Sequence, residues 1–170
     1  MYDRQTYHAS SGRILGTADQ LRAVERAEFH KKPLLRFQEC KVFVAAEAAV
    51  REAGVPWRVF AQVSLGEVLG CEDRDGFHSI NAKRVDLLIV DGGYAPIAAI
   101  EYQGSGHHLS NTAAARDAVK KEALRKAGIG YIEITQDDGP ADVRREISRL
   151  AFVRARTGTL GAMRRAAGGG

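Results

Sequence analysis

The chain has 170 residues, 45% of them apolar, which excludes a disordered polymer and suffices for one domain with a core. No apolar run approaches the ~20 residues of a membrane-spanning helix, and no signal-peptide segment opens the chain, so a cytoplasmic protein without membrane contact is expected. The formal charge of +4 is compatible with nucleic acid and with many other partners, so the placement of the charges says more than their sum.

Residues 1–31 are read as an N-terminal arm, polar and without a clear period at first, then weakly helical from Ala18 to about Phe29. A stronger helix follows from roughly Leu35 to Ala53, ended by Gly54 and Pro56. Its apolar stripe comprises Leu35, Val42, Phe43, Ala46, Ala49, Val50 and Ala53, and Glu39 falls on that stripe. An inward carboxylate needs a partner. Glu39 either faces a site or pairs locally with Arg36 or Lys41.

Trp57 to Val63 has the β-branched and aromatic content of a strand. Ser64 is placed to cap a short helical turn through Leu69, with Glu67 at the capping-box position. Gly70 to Asn81 reads as a polar loop holding Cys71 and an exposed His78. Cys40 and Cys71 are too few and too far apart for a zinc cluster, so two thiols are expected, with Cys40 packed.

Residues 84–103 form the centre of the sequence. Val85, Leu87 to Val90 and Ile97 to Ile100 are apolar on both faces of two successive strands, which places this hairpin inside a sheet. Gly92 and Gly93 supply the turn, Asp91 is a turn residue, and Pro96 stands at a strand start. Asp86, Glu101 and Gln103 interrupt this apolar segment. Glu101 and Gln103 share a face, and a turn centred between Gly93 and Tyr94 sets Asp86 opposite Glu101. Two carboxylates at the end of a buried hairpin require a cation between them, and a divalent metal is the simplest one.

The loop from Gly104 contains His107 and His108, which suit metal binding or base catalysis, or merely a solvated loop. A helix capped by Asn111 or Thr112 is expected to run to about Ala127 and close at Gly128, carrying Arg116, Lys120, Ala123 and Ala127 on one line. Asp117 is assigned an i,i+4 pair with Lys121. Ile129 to Thr135 is a further strand. A final helix starts at Pro140 or Ala141 and should reach about Arg154, with Val143, Ile147 and Leu150 inward and Arg144, Arg145 and Arg149 outward. Residues 155–170 are read as a flexible basic tail. The helix before the last strand permits a parallel crossover, so the domain at 32–154 should be an α/β fold with a mixed sheet flanked by helices.

A phosphodiester-cleaving metal site needs oxygen ligands on a rigid support, an open side for phosphate and a group that handles water. Asp86 and Glu101 supply carboxylates, and the Tyr102 carbonyl can add a third oxygen. Glu39 reaches the same place if its helix packs beside the hairpin. Gln103 can orient water or a phosphate oxygen, and Lys120 is the nearest ammonium if its helix packs on the same edge. Lys83, Arg84, Lys121, Arg144 and Arg145 are the cations read as DNA contacts.

Val85-Asp86, a gap, then Ile100-Glu101-Tyr102-Gln103 resembles the signature of the PD-(D/E)XK nuclease superfamily. Pro33-Leu-Leu-x-x-x-Glu39, Val59-Phe-Ala-Gln-Val63-x-Leu65, Ile100-Glu-x-x-Gly-x-x-His107 and Arg116-Asp-x-x-Lys120-x-x-Ala-Leu-x-x-Ala-Gly-Ile129 add to the likeness. Together they look like a bacterial family of uncharacterised domains in that superfamily. Some of its members are joined to topoisomerase-type zinc-finger repeats, and it is related to very-short-patch repair endonucleases. The likeness covers about Lys32 to Thr135.

The resemblance implies a restriction-endonuclease-like αβββαβ core, Mg²⁺ dependence with Mn²⁺ as a substitute, and a DNA substrate met in repair, restriction or mobile-element processing. It makes Glu39 the helix acid, Asp86 and Glu101 the metal ligands, Lys120 a lysine moved onto the helix, and His107 and Arg116 supporting residues. Homodimer formation is left open. One departure stands out: Gln103 occupies the position where the superfamily usually has Lys. The alternative reading is therefore a nuclease-fold DNA-binding module without chemistry. A third is a structural domain in which Asp86 and Glu101 pair with Lys83 or Arg84.

Overall fold

The computed structural model describes residues 16–104 and 111–167. The chain divides into two units, Met1–Lys32 and Pro33–Gly170. The first contains helix α1 (Thr17–Arg26), on which Leu21 and Val24 are exposed. The second is a mixed α/β domain. Its elements are α2 (Phe37–Glu52), β1 (Arg58–Ser64), a 3₁₀ turn (Leu65–Glu67), α3 (Arg74–Ile80), β2 (Arg84–Val90), β3 (Pro96–Gln103), α4 (Asn111–Lys126), β4 (Gly130–Thr135) and α5 (Pro140–Ala167). Among the described residues no helix is long and apolar enough to cross a membrane.

The four strands lie in the order β1-β2-β3-β4, antiparallel except for the parallel pair β3–β4. β2 and β3 are therefore interior strands, which explains their two apolar faces. Leu87, Ile89, Ala98 and Ile100 pack against Val42, Ala46 and Ala49 of α2 and Val143 and Ile147 of α5. Val85, Leu88, Val90 and Ala99 pack with Leu65, Ile80, Leu124 and Ile129. The stripes expected on α2 and α5 are thus the faces that bury.

A turn centred between Gly93 and Tyr94 needs an even number of loop residues, and the β2–β3 loop has an odd number. Asp91 and Ala95 close a three-residue loop, with the Asp91 carboxylate accepting from the N–H groups of Gly93 and Ala95 at 2.9 Å each. The left-handed residue is Tyr94 (φ +64°), not a glycine. A register shift between Ile89 and Val90 absorbs the extra residue, so Leu87 still pairs with Ile100 as the sequence required.

Gly128 (φ +70°) ends α4 as expected. The Ile129 N–H donates to the Leu124 carbonyl and the Gly128 N–H to that of Arg125, a six-residue reversal that needs a left-handed residue. β4 begins two residues later at Gly130, where a Cβ would stand 3.2 Å from the Ala98 Cβ. The missing side chain lets β4 lie tightly beside β3.

Four local expectations change. The polar loop after β1 contains α3, whose N-cap Asp73 accepts from Gly76 and whose buried Ile80 anchors it to the sheet. Ser64 precedes the 3₁₀ turn without capping it, because its hydroxyl donates to the Asn81 carbonyl at 2.6 Å. α5 continues through Ala167, so most of the stretch read as a tail beyond residue 154 is helix. Cys40 is exposed rather than packed, and both cysteines are free.

Candidate functional site

The site forms where β2 and β3 part. Their ladder ends at Leu87–Ile100, and beyond it the Asp86 side chain replaces the missing backbone partner. Asp86 Oδ2 accepts the Tyr102 N–H at 2.9 Å. Asp86 thus stands beside residues 101–102, as the hairpin register required. β1 is distorted at the same level. Gln62, flanked by the pairs Ala61–Leu87 and Val63–Val85, takes the left-handed conformation (φ +56°).

Glu101 is the one polar residue among the buried side chains described, at 6% exposure. Burial pushes its carboxyl up to about 7, the charges of Asp86 and Asp117 push in the same direction, and the Lys120 ammonium partly offsets them. Lys120 Nζ lies 2.7 Å from Glu101 Oε1. Leu124, fully buried one turn further along α4, sets the rotation that brings this lysine inward. The inner line of α4 is therefore Asp117, Lys120 and Leu124, whereas Arg116 and Ala127 are exposed.

Glu39 occupies the third position of α2. Its Oε2 accepts the Arg36 N–H at 2.8 Å, and Arg36 Nε stands 3.9 Å from Oε1. The local pairing expected as one alternative therefore exists. The same residue also lines a crevice with Val42, Asp86, Leu87, Ile100 and Tyr102 that is too narrow to admit a water molecule. A capping residue and a neighbour of Asp86 are one side chain. A larger groove of about 770 Å³ opens alongside, between α2 and the β4–α5 turn, with Phe37, Val42, Tyr102 and Arg144 on its walls.

Gln103 ends β3, partly buried and paired with Thr135 of β4. His107 and His108 lie outside the described residues. Of the cations read as DNA contacts, three have acidic partners within the fold: Lys121 with Glu133 at 2.6 Å, Arg144 with Glu52 at 2.6 Å and Arg145 with Asp142 at 2.7 Å. Lys83 and Arg84 stand at the start of β2, and the Arg84 carbonyl accepts from Lys120 at 3.5 Å. Among the described residues no three His, Cys, Asp or Glu side chains converge as a metal-holding group.

The partner expected for Asp117, Lys121, is corrected by the structure. Asp117 faces Lys120 at 3.5 Å rather than Lys121, because Lys121 turns to Glu133 and lies over the Tyr131 ring at 5.0 Å. The signal was present in the spacing of Asp117, Lys120 and Leu124, which is one helical stripe ending in a leucine. The Tyr131 hydroxyl is buried without a hydrogen-bond partner among the described residues, and burial together with the charge of Glu101 pushes its pKa up.

Residues 31–150 match the profile of a family described as "Protein of unknown function (DUF2726)". The chain is 50% identical over 123 residues to an uncharacterised protein of Sinorhizobium fredii, y4bI, covering 72% of this chain and 88% of that protein. It is 43% identical over 131 residues to an uncharacterised protein of Haemophilus influenzae, covering 76% and 68%. No solved structure matches significantly.

Proposed function

We propose that this chain, which belongs to the DUF2726 family of proteins of unknown function, is a metal-dependent endonuclease that hydrolyses phosphodiester bonds in DNA. The observation that carries this reading is Glu101, a buried acid beside Asp86 at the parting of two central strands, with an ammonium against it. The resemblance of Asp86, Glu101 and Lys120 to the PD-(D/E)XK pattern supports it, as does the αβββαβ order of α2, β1, β2, β3, α4 and β4.

The donor set suits a hard divalent cation. It offers oxygen ligands only, from Asp86, Glu101 and the Tyr102 carbonyl. Two carboxylates, Glu101 and Asp117, flank one ammonium, and the charge of Asp86 also reaches Glu101, so three acids and one ammonium leave two uncompensated negative charges when all are ionised. When bound, Mg²⁺ or Mn²⁺ would polarise the phosphate and acidify the attacking water.

The chain's own residues supply the rest. Lys120 would stabilise charge developing on the phosphate, and Gln103 would orient water or a phosphate oxygen. Glu39 would hold the α2 side of the crevice. Lys83 and Arg84 are the preferred backbone contacts, because Lys121, Arg144 and Arg145 already have acidic partners.

Plasmid nicking in Mg²⁺ and in EDTA tests the assignment. Cleavage should require the metal and vanish in Asp86→Ala and Glu101→Ala. Unchanged cleavage in both variants would sink it. Two observations favour a second reading, a DNA-binding module without chemistry: Glu101 is already matched by Lys120, and Gln103 replaces the usual lysine. That reading requires salt-sensitive DNA binding with no cleavage in Mg²⁺ or Mn²⁺.

A further inference from the structure

We infer that Asp117 is a positioning residue that keeps Lys120 in the site when Glu101 is engaged by a cation; this rests on the metal-dependent reading above. The Lys120 ammonium sits among three oxygens: Glu101 Oε1 at 2.7 Å, Asp117 Oδ1 at 3.5 Å and the Arg84 carbonyl at 3.5 Å. The ammonium donates hydrogen bonds to Glu101 and the Arg84 carbonyl, its third N–H donor remains, and Asp117 is an ion-pair contact. The lysine side chain is only 11% exposed, so water offers little replacement for a lost acceptor.

Glu101 is the nearest of the three acceptors and also the one whose charge feels Asp86. A divalent ion shared by Asp86 and Glu101 competes with the ammonium for the same carboxylate. Two positive charges on one acid repel, and the ammonium must then find other acceptors or leave. Asp117 and the Arg84 carbonyl are those acceptors. Asp117 lies one helical turn before Lys120 on the same stripe, and Arg84 lies two residues before Asp86 on β2. Both are fixed by elements that also carry the site, so the ammonium can shorten its contact with Asp117 and remain beside the phosphate position.

An ordinary i,i+3 pair on a helix surface would have no such consequence. The distinction is that this lysine is shared with a buried acid on β3.

Calorimetric titration of the full chain with Mg²⁺ alone, without DNA, tests the inference. Asp117→Asn should weaken Mg²⁺ binding about tenfold, because the displaced ammonium loses its charged alternative. Asp117→Glu should restore binding to within about threefold of wild type. Lys120→Met should tighten binding by removing the competing cation, and in that background Asp117→Asn should have an effect of less than about threefold.

An equal loss from Asp117→Asn with and without Lys120 would overturn the inference, since Asp117 would then act by its own charge. So would a wild-type affinity in Asp117→Asn, which would leave the metal-dependent reading intact. Absence of Mg²⁺ binding in the wild type would overturn both.

Discussion

Lys120 Nζ stands 2.7 Å from Glu101 Oε1, and the two side chains are 11% and 7% exposed. This pair ties α4 to the centre of the sheet and sets the electrostatics of the site. Removing one partner of a buried ion pair costs far more than the pair itself contributes, because the other charge is left without compensation. Glu101 escapes that cost at low pH by holding a proton. Lys120→Met should therefore destabilise the fold by about 3 to 5 kcal/mol at about pH 9 and by much less at about pH 5. Urea unfolding at the two pH values measures it, and an equal loss at both would contradict the buried pair.

The wild-type fold should itself lose stability as pH rises through Glu101. Its carboxyl is raised from 4.5 to about 7 by burial, by Asp86 and by Asp117, against the opposing Lys120. Between those values the unfolded chain has released the proton and the folded chain still holds it. The stabilisation from the protonated acid is thus complete below the unfolded value and is lost as pH climbs through the folded one, on the order of 3 kcal/mol in total. Glu101→Gln carries no proton to lose. Its stability relative to wild type should rise between about pH 4.5 and 7 and level off outside that window. A flat difference across the series would remove the basis for a raised Glu101.

Gln62 tests whether strain is stored beside Asp86. It adopts φ +56° in the middle of β1, where a side chain is disfavoured. Left-handed backbone costs an L-residue about 1 to 2 kcal/mol, whereas a glycine loses about 0.5 to 1 kcal/mol in chain entropy. The first effect is larger, so Gln62→Gly should stabilise the fold by roughly 0.5 to 1 kcal/mol. A shift in the urea midpoint would show it, and a destabilised variant would mean that the Gln62 side chain itself holds the strand.

Gln103 decides between the two functional readings. If its amide orients water or a phosphate oxygen, Gln103→Ala should lower kcat about 100-fold, with folding stability within about 0.5 kcal/mol of wild type. Single-turnover cleavage with saturating Mg²⁺ is the measurement. Wild-type cleavage by Gln103→Ala would leave this residue without a role in the transition state.

Much of the fold was legible because periodic patterns are local. Val42, Ala46, Ala49 and Val50 on α2 and Val143 and Ile147 on α5 were assigned inward from spacing alone, and they are buried. The apolar faces of β2 and β3 placed them inside the sheet, and the register that brings Asp86 to Glu101 survived even a turn of different length. α3 was obscured because its segment is mostly polar and only Ile80 is fully buried. The extension of α5 was obscured because its arginines and glycines carry no stripe.

The sequence by itself determined the strand pair at residues 84–103 and the two acids that interrupt it. A side-chain period of two in strands and 3.6 in helices fixes which residues share a face. Only the tertiary structure decided which charges meet. Lys120 rather than Lys83 or Arg84 reaches Glu101, Asp117 turns to Lys120 rather than Lys121, and Arg144 and Arg145 pair with acids. The first two choices follow from the rotation of α4, set by Leu124 and Ile129 in the second core and by the Gly128 stop. Ion pairing across elements has no period along the chain, so the environment of Glu101 emerges only when α4 packs on the sheet.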